Sequence, residues 1–226
     1  MDVCAGAASA QDRHVVECAA ELFLQHGIEG VKMVDIARAA GVGVATVYRH
    51  FSTKVHVAAL AVYLLWERFN ERLHELVESD WFLQLNGLGR LQALLEGYCE
   101  AYAEQRSFVA LIDEFDHLIL AGELSDAELE QYGTQIDSFY VIFEDAYAMG
   151  CQDGSIRRGI DFRRFYVALA HALMGVAQKL SRGEVIPSDD FSCGVEELRG
   201  IVNMALWSLV TDEPIPELPA NARTKG

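Results

Sequence analysis

The chain has 226 residues, enough for one small and one medium domain with a real core. Its formal net charge of −16 weighs against a nucleic-acid partner until the charges are placed: the first 60 residues carry 5 Lys and Arg against 6 Asp and Glu, and the remainder carries 13 against 28. Five scattered cysteines (Cys4, Cys18, Cys99, Cys151, Cys193) include no C-x-x-C pair and argue against a disulfide framework or zinc knuckle, while the lack of a signal peptide or of a bilayer-length apolar stretch predicts a cytoplasmic protein with reduced thiols.

Residues 1–10 read as a flexible N-terminus. Val15, Val16, Ala19, Ala20, Leu22 and Phe23 then recur at helical spacing and predict an amphipathic first helix ending near His26-Gly27. Val34, Ile36, Ala37 and Ala40 give a short second helix, closed by Gly41, where a left-handed backbone costs little. A third runs from about Val44 to Phe51. Val44, Val47 and Phe51 fall at i, i+3 and i+7 and predict an inner face, leaving Ala45, Thr46, Arg49 and His50 on the open side and Tyr48 at the boundary. A helix-turn-helix holds its second helix in this way, so that early residues reach base edges while flanking groups hold phosphates. Any packed helical hairpin would account for the valines and the glycine, but it has no use for the polar outer face.

The long proline-free middle predicts only helices. Lys54 to Glu78 reads as one long helix that starts inside the small unit and ends in the larger one, so it can couple them. Others are expected over about 88–105 and 108–120. The next is opened by a Ser125/Glu128 capping box and ends near Met149-Gly150, and another is capped by Asp161 over 162–182. A loop with Pro187 precedes the last helix, about 194–210, and Pro214, Pro216 and Pro219 mark residues 212–226 as a mobile, non-helical tail. The fold class is therefore all-α, with about nine helices, no strand of note and no internal repeat.

The stretches A-A-E-L-F-L-Q-H-G, D-I-A-R-A-A-G-V and A-T-V-Y-R-H-F-S-T-K make residues from about 13 to 56 similar to the N-terminal DNA-binding domain of the TetR/AcrR family of transcriptional regulators. The resemblance implies a helix-turn-helix domain over 11–56 and a helical effector-binding and dimerisation domain over 57–211. It implies that the helix carrying Val44, Ala45, Thr46, Tyr48, Arg49 and His50 enters the major groove, with Lys54 on phosphate. Two positions depart from the family pattern: Val31 and Gly43 stand where a Thr and a Ser are usual, and neither has a hydroxyl to cap a helix or meet a phosphate. Lys32 is the candidate replacement as a point charge.

The resemblance further implies a repressor released from its operator by a small molecule, and a homodimer formed through the last two long helices, about 162–182 and 194–210. Small residues there (Ala168, Ala172, Gly175, Ala205) agree, since they let helices approach closely. A two-fold dimer would set two recognition helices about 34–36 Å apart on a near-palindromic site.

Aromatic and polar residues mix in the middle helices, and an effector pocket is expected at Tyr98, Tyr102, Phe115, Tyr140, Phe143 and His171, against the alternative that these fill a solid core. Two E-x-x-H pairs, Glu71/His74 and Glu114/His117, raise a rival reading as a di-iron bundle enzyme with Glu100 and Glu144, or as a metal-ion sensor using His117 with Asp113 or Asp116. G-x-G-x-x-G, Walker, G-x-S-x-G and H-E-x-x-H motifs are all missing, so neither an enzyme nor a resident cofactor is expected.

Overall fold

The computed structural model describes residues 9–183 and 191–210; most of the expected flexible N-terminus, Cys4, Pro187 and the proline-bearing tail lie outside the described residues. The described residues form ten helices and no strand: α1 (Ala10–Gly30), α2 (Met33–Ala39), α3 (Val44–Phe51), α4 (Lys54–Glu78), α5 (Asp80–Leu83), α6 (Gly87–Glu104), α7 (Arg106–Leu120), α8 (Asp126–Asp153), α9 (Phe162–Ser181) and α10 (Gly194–Val210). None of them is long and apolar enough to cross a membrane. The helix missed in the sequence is α5. It is a single turn capped by Ser79, whose side chain accepts from the Phe82 N–H, and four residues are too few for periodicity to show.

Caps explain most boundaries. Ser9 accepts from the Asp12 N–H at the start of α1, Thr53 from His56 at the start of α4, and Asp161 from Arg164 at the start of α9. The expected capping box forms at α8, where Ser125 and Glu128 answer each other's backbone N–H groups. Gly41 adopts φ 66° after α2, and Gly27 adopts φ 71° inside α1, so that helix kinks where the sequence placed its end and adds a last turn beyond.

Two helix faces differ from expectation. Val34 and Val44 are exposed, at 39% and 36%, rather than turned inward. Each lies in the first turn of a short helix, and Met33 and Val42 supply the apolar contacts instead. On α9 the buried stripe is Phe162, Tyr166, Leu169, Leu173, Ala177 and Leu180, which leaves Ala168, Ala172 and Gly175 on the outer face. The N-terminal unit packs its α1 against α4 and α7, while α6, α8, α9 and α10 pack on one another. The α6–α8 approach is very tight: a Cβ added at Gly87 would stand 2.0 Å from the Gly150 nitrogen.

Candidate nucleic-acid interface and the cavity behind it

Recognition-helix residues Val47 and Phe51 are buried where α3 packs on α2 and α4, which turns the opposite face of α3 to solvent. On that face Ala45, Arg49 and His50 are exposed, Tyr48 is 51% exposed and Thr46 is half-buried. Lys32 is exposed at the entry to α2, where its backbone N–H donates to Asp35 at 3.1 Å. Gly43 precedes α3 without any side-chain cap, and its carbonyl accepts from the Thr46 N–H at 2.9 Å.

Two residues expected to touch DNA are engaged within the protein. His50 Nδ1 lies 2.6 Å from Asp12 Oδ1, so the imidazole ties the end of α3 to α1, with Arg49 Nη2 3.3 Å from its other ring nitrogen. Lys54 Nζ donates to the carbonyls of Ile28 at 2.7 Å and Val31 at 3.1 Å. A cation there answers the carbonyl end of α1 and fixes where α4 begins.

Between α3 and α4 the chain turns at Ser52 (φ 57°, ψ −54°), and the Thr53 N–H donates to the Phe51 carbonyl at 2.6 Å. This three-residue turn is one that side chains other than glycine rarely adopt. Struts from the body meet the junction. His56 Nδ1 lies 2.8 Å from Glu128 Oε1 on α8, and the Tyr63 hydroxyl donates to the Glu128 carbonyl at 2.6 Å. Burial works against the Glu128 charge, but hydrogen bonds from Ser125 and His56 outweigh it and hold the carboxyl below its ordinary range. From α7, Glu114 accepts the Ile28 N–H at 2.6 Å, beside the Gly27 kink.

A cavity of about 300 Å³ lies among α4, α6, α7, α8 and α9. Of the six residues expected to line it, Tyr98, Phe143 and His171 do, and Tyr102, Phe115 and Tyr140 do not. Phe115 is fully buried against the edge of the Tyr132 ring, because its place on α7, one residue from the lining Asp116, turns it into the core. The Tyr102 hydroxyl is taken by Arg106, whose guanidinium also lies over the ring, and the Tyr140 hydroxyl donates to Glu144. The wall residues that sequence reading missed are chiefly Trp66, Tyr132, Phe139 and Tyr166. Their signal existed in part, since Tyr166 continues the Phe162–Leu169–Leu173 stripe, but which part of a buried stripe meets a void is not a periodic property.

Cavity polarity is sparse. The Tyr98 and Tyr166 hydroxyls are 3.2 Å apart, and burial pushes both phenols up. Asp116 accepts from Gln178 Nε2 at 2.7 Å; burial pushes its carboxyl up, against the Gln178 bond and with help from nearby Asp113. The buried Trp66 indole N–H makes no hydrogen bond of normal geometry, although the Tyr132 hydroxyl neighbours it.

The metal readings do not survive the geometry. Among the described residues no group of three His, Cys, Asp or Glu side chains is placed to hold an ion. Glu114 is spent on the Ile28 N–H, His117 Nδ1 on the Asp113 carbonyl at 2.6 Å, and Asp113 on Arg182. Glu144 accepts from the Tyr140 hydroxyl.

A short helix anchored by Val47 and Phe51 and presenting Tyr48 and Arg49 outward, set on two supporting helices, defines a helix-turn-helix DNA-binding regulator. Residues 15–60 match the family model for bacterial regulatory proteins of the tetR family. The chain is similar to the HTH-type transcriptional repressor KstR2 of Rhodococcus jostii (strain RHA1), at 27% identity over 154 residues that cover 68% of this chain and 71% of the relative. Its fold is shared with a TetR transcription regulator from Haloarcula marismortui (TM-score 0.70, 18% identity, 88% of this chain and 97% of that one). It is shared also with a transcriptional regulator from Saccharomonospora viridis in complex with choline (TM-score 0.66, 19% identity, 85% and 93%).

Proposed function

We propose that this regulator is a homodimeric repressor that leaves a near-palindromic operator when a small molecule enters the cavity. Residues 11–56 serve as the DNA-binding domain, 57–211 as the effector and dimerisation domain, and the protein works in the cytoplasm. Val44, Ala45, Thr46, Tyr48 and Arg49 face the bases, with Lys32 on phosphate. His50 and Lys54, bonded to α1, set the pose of the recognition helix before any DNA contact. The repressor name of the 27% identical relative supports the sign of control.

One observation carries the effector part: the walls of the cavity are the struts of the DNA-binding unit. α4 brings Trp66 and Phe69 to the cavity and Lys54 and His56 to the recognition-helix junction. α8 brings Tyr132 to the cavity and Glu128, one turn earlier, to His56. α7 brings Asp116 to the cavity and Glu114 to α1. A ligand that prefers one spacing of these helices shifts the pose of α3 by its differential affinity for the two states.

Dimerisation through α9 and α10 is supported by the apolar face they leave in solvent: Val167, Ala172 and Gly175 on one, Met204 and Trp207 on the other, the last two 68% and 71% exposed. The test is selection of genomic fragments bound by the purified protein, with light scattering for its mass. A near-palindrome with half-sites one turn apart, bound by a dimer that Trp207→Glu splits, is the expected result. Binding without sequence preference, or a wild-type monomer that still reads a single half-site, would overturn it.

A further inference from the structure

The reading of the cavity as a small-molecule site leaves open what kind of molecule it takes, and the placement of charge around Asp116 narrows the choice. Among the described lining residues Asp116 is the only acid, and no Lys or Arg is present. The same cavity wall carries the rings of Trp66, Tyr98, Tyr132, Phe139, Phe143 and Tyr166, with His171 at the exposed edge. Among the described residues, neighbouring basic groups form no ion pair with the carboxylate, although His117 acts on it through space. Arg182, from the end of α9, is bound to Asp113 (Nε to Oδ2 2.8 Å), and His117 is turned to the Asp113 backbone. Gln178 donates to one carboxylate oxygen, and a neutral amide adds no counter-charge.

A carboxylate desolvated without a counter-ion either takes up a proton or waits for a cation. Aromatic faces carry negative potential, attract an ammonium and repel an anion at the same depth. Acid and rings therefore favour the same charge in the occupant. We propose that the cavity takes a small organic cation, an amine or quaternary ammonium carrying an apolar group, with Asp116 as its counter-charge and the surrounding rings as its box. The volume of about 300 Å³ sits at the small end of ligand sites, which suits one or two rings or a short chain beside the ammonium.

The test uses the full-length protein and three matched probes: (4-phenylbenzyl)trimethylammonium, its uncharged isostere with carbon in place of nitrogen, and 4-biphenylacetate. Binding is followed by tryptophan fluorescence, which Trp66 in the wall makes sensitive to occupancy. The expected result is that the cation binds about tenfold or more tighter than the isostere, that Asp116→Asn erases this preference, and that Asp116→Glu keeps most of it. The inference is overturned, with the cavity reading left intact, if the isostere or the acid binds as well as the cation, or if Asp116→Asn binds the cation as wild type does. Failure of all three probes to bind wild type would instead remove the small-molecule reading, and this inference with it.

Discussion

The two ends of the molecule hold their parts in place by different means. In the N-terminal unit the decisive contacts stay within residues 12–54: Gly41 closes α2, Val47 and Phe51 seat α3, and His50 and Lys54 reach back to Asp12 and Ile28. In the body the decisive contacts join residues far apart in sequence. Gly87 meets Gly150, Glu128 meets His56, Glu114 meets Ile28, and the cavity draws its wall from five helices. The difference teaches where function is readable. A surface that meets a fixed partner, the major groove, can be written into one helix, whereas a hole exists only once several helices have been packed around it.

The largest expected effect tests the body. Gly87→Ala forces a methyl into the Gly150 backbone, which cannot retreat as a side chain would. It should cost about 3 kcal/mol or more of stability, measured by urea unfolding, at the upper end of overpacking effects. A loss under about 1 kcal/mol would mean that α6 and α8 are not so closely seated.

Arg49→Ala comes next and tests the other end. It should cost about 1–3 kcal/mol in operator affinity if the guanidinium reads a guanine, with unfolding unchanged because the side chain is exposed. Equal affinities for operator and mutated operator in wild type and variant alike would remove Arg49 from the reading surface. A parallel loss of stability would mean that the His50 contact matters more than the DNA contact.

Asp116→Asn sharpens the contrast by separating stability from binding. The Asp116 carboxyl is pushed above its ordinary value by burial, so its ionised form costs stability at any pH above that raised value. The cost fades as pH falls through it, because the proton then returns. The variant should therefore melt higher than wild type near neutral pH and no higher in acid, read by thermal scans across pH. A variant that melts lower at neutral pH would show that the carboxylate is already paired.

The smallest effect concerns α3. Gly43→Ser supplies the missing N-cap, and a Cβ there meets nothing nearer than the Thr46 hydroxyl at 3.7 Å. A gain of a few tenths of a kcal/mol in thermal stability is expected. Destabilisation would mean that the backbone at Gly43 needs more freedom than its φ of −70° implies.

Most of the fold was legible. The α4 and α10 boundaries follow from periodicity, and the start of α8 from the Ser125/Glu128 box, because helix ends are decided within a few residues. Val34 and Val44 were misread since apolar spacing names a stripe without saying how far the neighbouring helix extends beneath it. Half of the expected pocket was found, and Phe115 shows why no more: residues 115 and 116 differ by 100° around α7, and only the position of α8 decides which of them faces the void.

By itself the amino-acid order determined a chain of helices, the glycine that separates α2 from α3, and a helix with a polar side opposite its apolar anchors. Those properties arise from spacing, caps and turn chemistry over fewer than about ten residues. Only the tertiary structure decided that Lys54 and His50 are bound inward, that the E-x-x-H pairs never converge, and that Asp116 faces a ring-lined cavity without a cation. These outcomes depend on which helices meet and at what rotation. Packing fixes that by many weak, long-range contacts at once, and no local segment contains it.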